Sequence, residues 1–126
     1  MPPDSIMTED ESLRYINMHI ARQNALGDAL IILARLEATT FDPDEKLRLV
    51  IERRRIEDEY SRNEQEFLAF SDGDLAVHPP TAQQVDAIVK LAGEVAVLTQ
   101  KKTTFVAVMK LTNSVLSKVT EIRNGT

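Results

Sequence analysis

Cysteine is absent from the 126 residues, so disulfides and thiolate metal sites are excluded. Glycine occurs four times and proline five, too sparsely for a loop-rich fold and in keeping with helix. The glycines stand at 27, 73, 93 and 125 and form no phosphate-binding loop, and no Gly-x-Ser-x-Gly nucleophile elbow occurs. Histidine appears twice, at His19 and His78, and neither belongs to a Glu-x-x-His pair of the sort that bundle-type di-iron sites use. No cofactor, metal or catalytic residue is therefore assigned, and the chain is read as a non-enzyme. Aromatic residues make up 5%, few for a ligand pocket.

No apolar run approaches the eighteen residues of a membrane span, and MPPDSIMTEDES is acidic where a secretory leader would be basic and then apolar. The expectation is a soluble, cytoplasmic protein. Net charge is −5, unevenly distributed. Residues 1–78 hold nine Lys/Arg against seventeen Asp/Glu, whereas 79–126 hold six against three, so the two segments are expected to attract each other. On a helix Lys90 and Lys101 share a side, while Lys102, Lys110 and Lys118 scatter around it. That leaves no basic stripe. Neither nucleic acid nor a membrane is expected as a partner.

Hydrophobic residues make up 43% and charged ones 28%, which fits a folded chain of one domain's length. Three helix starts are written in it. Thr8 and Glu11 form a capping box, in which each side chain satisfies the other's backbone N–H. Asp42 precedes Pro43, whose missing N–H costs nothing at the first helical position. Thr81 and Gln84 form a second box, and Asn124-Gly125 is a stop. The helices are thus placed at about 9–39, 43–71 and 81–123.

The first carries Leu13, Ile16, Ile20, Leu30, Leu33 and Leu36 and is apolar nearly all round in ALGDALIILARL, so it should be covered on more than one side. Gly27 stands seven residues before Ala34, a register that suggests close approach of a neighbouring helix. The second presents Leu49, Arg53, Ile56, Tyr60, Asn63, Phe67 and Phe70 at alternating spacings of four and three, a coiled-coil-like seam in which Arg53 and Asn63 would fix register. Arg53–Glu57, Arg54–Asp58 and Arg55–Glu59 are i,i+4 pairs, so the triple arginine reads as a self-neutralised face.

Residues 85–98 and 105–122 point their apolar sets nearly half a turn apart, more than the ~20° per heptad by which a straight helix drifts. A turn at Thr99–Thr104 would give a four-helix bundle. The stretch TQKKTT, however, lacks the Gly, Pro, Asn or Asp that mark such turns, so the reading adopted is an all-α, three-helix antiparallel coiled-coil-like bundle. Its last helix would run about 64 Å against roughly 45 Å for the others. The overhang would carry Phe105, Met109, Leu116 and Val119, which together with Gly27 form the expected interface with a second copy or another protein's helix. The function expected is an oligomeric helical scaffold, adaptor or chaperone-like protein. The alternative is a bundle that senses or carries a small apolar ligand.

Overall fold

The computed structural model describes residues 7–73 and 77–125; the first six residues of the acidic start lie outside them. Four helices follow one another: α1 Glu9–Thr39, α2 Pro43–Ser71, α3 Ala82–Leu98 and α4 Phe105–Asn124. The three starts read from sequence are present. Thr8 and Thr81 form capping boxes with Glu11 and Gln84, and the Asp42 carboxylate accepts from the Asp44 and Glu45 N–H groups. Gly125 ends α4 at φ +72°, a left-handed conformation that glycine adopts without a Cβ clash.

The long third helix is the correction. The chain turns at 99–104, and it does so with threonines. Thr99 N–H is shared between the Val95 and Ala96 carbonyls, its hydroxyl donates to Ala96 O at 2.6 Å, and the next two N–H groups reach back only three residues, so α3 tightens and stops. The Thr99 carbonyl left over accepts from Arg35 of α1 at 2.9 Å. Thr104 then caps α4 by accepting from Ala107 N–H. Folding back lets both apolar faces, half a turn apart on a straight rod, meet the same core. No helical ladder bond runs through residue 103, so Thr103→Pro should shift the melting temperature by only a few degrees. Within a helix the same change costs ~3 kcal/mol or more. Loss of cooperative unfolding in that variant would restore the continuous helix.

α1 is the central element, packed against all three others. Arg14 near its start donates to the Pro80 carbonyl and Arg35 near its end to Thr99, which fixes α1 and α3 as parallel neighbours. α2 and α4 run the other way. α2 and α3 have no Cα pair within 8 Å among the described residues, so they occupy opposite corners. Leu26, Leu33, Leu49, Ile56, Ile88 and Val115 are fully buried where the four helices meet. α1 points its remaining side, away from α4 and between α2 and α3, to solvent.

Candidate functional site

The overhang does not exist, and its residues lie elsewhere. Leu116 and Val119 are in the core of the chain, and Phe105 and Met109 are half-buried against it. The turn at 99–104 lays α4 back against α3 and α1, so these residues face inward. Gly27 is on the outward side of α1, where an added Cβ would meet nothing within 4 Å. The close neighbour suggested by the Gly27–Ala34 register is not a helix of the same chain.

Sequence reading missed a polar network inside the bundle. Arg22 is 1% exposed and donates through Nε to His19 Nδ1 (3.2 Å) and through Nη1 to Glu66 (3.2 Å). The Tyr15 hydroxyl donates to the same Glu66 oxygen at 2.7 Å. Arg123 of α4 meets the other Glu66 oxygen at 3.2 Å, and also Glu59 and Asn63. Asn63 donates to Gln23 Oε1 at 3.1 Å. Among the described residues, the ion pairs between the acidic front and the basic end are those of Arg123 with Glu59 and Glu66. Asn63, in the seam of α2, is fully buried between Gln23 and Arg123, while Arg53 bridges Glu37 and Glu57. Arg55 pairs with Glu52 rather than Glu59, which faces Arg123. Glu52 is itself buried and accepts from Thr112 of α4 at 2.7 Å.

The electrostatics match this internal pairing. Burial and then the Arg22 charge push His19 down to about 4, so it is neutral; Nδ1 accepts from Arg22, which assigns the proton to Nε2, facing Glu64 at 3.7 Å. Burial opposes ionisation of Glu66, but the Tyr15 hydroxyl and two guanidinium groups outweigh it and hold the carboxyl below its ordinary range. Burial and the bond to Glu66 raise Tyr15. A cavity of about 140 Å³ touches the network beside His78. With the guanidinium, imidazole and carboxylate groups engaged with one another, the network clamps α1, α2 and α4 together. Its signal in the sequence is Tyr15, Arg22 and Asn63 on otherwise apolar helix faces; which of them meet is not written there.

The outward surface holds the candidate site. At 100° per residue, the solvent side of α1 between Leu13 and Ala38 is made of Leu13, Asn17, Ile20, Asn24, Gly27, Ile31, Ala34 and Ala38. Their spacings alternate four and three throughout. Leu13, Ile20 and Ile31 are each a little over half exposed. Beside them α3 contributes Val85, Val89, Ala92 and Ala96 on the flank next to α1. Two charges, Asp28 and Arg35, lie between the helices, and Asp86 and Lys90 mark the far edge. The outer face of α2 is more charged, with Arg48, Arg54, Arg55, Glu57, Asp58 and Arg62 exposed among the equally exposed Leu47, Ile51 and Leu68. On the opposite flank of α3, Leu91, Val97, Leu98, Ala107 and Leu111 line a shallow apolar groove of about 480 Å³ shared with α4.

Among the described residues no helix is long and apolar enough to cross a membrane, and no three His, Cys, Asp or Glu side chains gather as a metal site requires. No protein-family model, curated protein or solved structure matches the chain.

Proposed function

We propose that this protein is a non-enzymatic, oligomeric helical scaffold or adaptor of the cytoplasm, chaperone-like in working through protein–protein contact. The observation that carries the reading is the apolar two-helix face of α1 and α3. A heptad-spaced stripe over 26 residues is the pattern of a helix that meets another helix, and here the stripe on the solvent side is unused within the chain. The internal polar groups support the same conclusion, because they are engaged with one another rather than presented to a substrate.

Light scattering tests this directly. The wild-type protein should have at least twice the 14.2 kDa chain mass, and Ile20→Lys combined with Ile31→Lys should bring it to 14.2 kDa with its helical circular dichroism unchanged. Both positions are half-exposed in the chain, so the charges harm an interface and spare the fold. A wild-type protein that is monomeric at 100 μM would sink the oligomeric reading. The α3–α4 groove favours a second reading, a carrier of small apolar molecules. Its test is a ligand retained through purification and seen by native mass spectrometry.

A further inference from the structure

We infer that the occupant of the α1/α3 face is a second copy of this chain, docked about a two-fold axis that sets α1 antiparallel to α1 and α3 antiparallel to α3. The inference rests on the self-association reading above and adds the face, the orientation and the register.

Side-chain volumes give the orientation. The first half of the α1 stripe is bulky and the second half small. An antiparallel pairing centred between residues 25 and 26 sets Leu13 against Ala38, Asn17 against Ala34, Ile20 against Ile31 and Asn24 against Gly27. Bulk then meets a small residue at three of the four pairs, and the helices keep one spacing along their length. A parallel pairing would stack Leu13 on Leu13 and Ala38 on Ala38 and splay the helices at one end. α3 obeys the same register. The contacts Arg14–Pro80 and Arg35–Thr99 put the centre of the α1 stripe level with about residue 90 of α3. Val85 then opposes Ala96 of the second copy, and Val89 opposes Ala92.

The two charges between α1 and α3 agree with this register, while Lys90 at the far edge falls level with its own copy. On the α3 side of α1, Asp28 falls level with Asn24 of the second copy, whose amide can donate to it. Arg35 falls level with Asn17 of the second copy, whose amide oxygen can accept. Each pair occurs twice about the axis, so both charges on the face gain a neutral partner. In the parallel alternative the axis runs along α1 and exchanges its flanks. The apolar flank of α3 would then lie over the charged row of α2 that includes Arg53, Glu57 and Glu64.

The area is sufficient. The α1 stripe is about 38 Å long and the α3 stripe about 17 Å, each about 10 Å wide, which gives roughly 550 Å² per copy. The total of about 1,100 Å² clears the roughly 1,000 Å² expected of a specific interface.

A cysteine-free chain makes the orientation measurable. Three full-length single variants, Leu13→Cys, Ala38→Cys and Asn24→Cys, are treated with a short bis-maleimide at a concentration where light scattering shows the dimer. The antiparallel dimer predicts that Asn24→Cys bridges to itself, and that Leu13→Cys co-expressed with Ala38→Cys gives the mixed product. It also predicts no self-bridging of Ala38→Cys, whose two copies lie about 38 Å apart. Self-bridging at Ala38→Cys would establish the parallel dimer and overturn the inference. A dimer by mass with no bridging at any of the three positions would place the interface on another face, overturning the inference while the scaffold reading stands. A monomer by mass overturns both.

Discussion

Arg22→Ala should destabilise the protein by about 3–5 kcal/mol in urea denaturation, more than any surface substitution. The guanidinium is 1% exposed and satisfies His19, Tyr15 and Glu66 together. Truncation removes the charge that offsets burial of Glu66, leaves His19 Nδ1 without a donor, and opens space where the aliphatic stem had packed. Arg22→Met separates these effects, because it fills most of the volume and restores none of the polar contacts. It should recover only a minority of the loss. Arg123→Ala should cost less, since that side chain is 13% exposed and water can reach part of what it leaves. A loss below about 1 kcal/mol for Arg22→Ala would show that the network adds nothing to stability.

Acid should weaken the fold well above the ordinary carboxylate range, and His19 is the reason. Its folded pKa is about 4, below the ordinary histidine value of 6.5, so the folded state favours the neutral ring. The unfolded chain takes up the proton first as pH falls. Stability is therefore fully present above pH 6.5 and is lost progressively between pH 6.5 and about 4, by up to about 3 kcal/mol. Glu66 extends the loss. Its folded pKa is depressed, so its contribution is present above 4.5 and disappears as pH falls through its lower folded value. Urea midpoints at pH 7.5, 6, 5 and 4 measure this directly, and His19→Gln should flatten the upper part of the curve. Arg22→Ala should flatten it only in part, because burial, the larger cause of the lowered His19 value, remains when the adjacent cation is removed. A wild-type midpoint constant from pH 7.5 to 5 would refute the buried neutral imidazole.

Both effects arise from residues visible in the sequence as polar interruptions of apolar helix faces; His19 and Tyr15 lie close to Arg22 along α1, but Glu66, the carboxylate they are built around, lies 44 residues away. Helix starts need no such information. Thr8, Asp42 and Thr81 satisfy N–H groups two or three residues further on, so the capping bonds are closed within one turn and the local sequence is enough. Gly125 is equally local, since only the absence of a Cβ makes its φ of +72° easy. The heptad stripe on α1 is also local, a matter of spacing on one helix.

Tertiary structure decided the rest. Thr99–Thr104 carries hydroxyls able to close one helix and open another, but β-branched threonines are tolerated in a continuous helix as well, so local energies there are nearly balanced. The balance is tipped by Arg35 receiving the Thr99 carbonyl from 64 residues away and by the burial of both halves on α1. The same turn carried Leu116 and Val119 from an imagined overhang into the core. It also left the α1 stripe, rather than the α4 face expected from sequence, as a heptad-spaced apolar face in water. Sequence alone determined where three of the four helices begin and which faces are apolar, because hydrogen bonds within a turn and the 3.6-residue period are local. Which apolar face was buried, and which arginine met which glutamate, depended on how the four helices shared one core, and only the folded chain decides that.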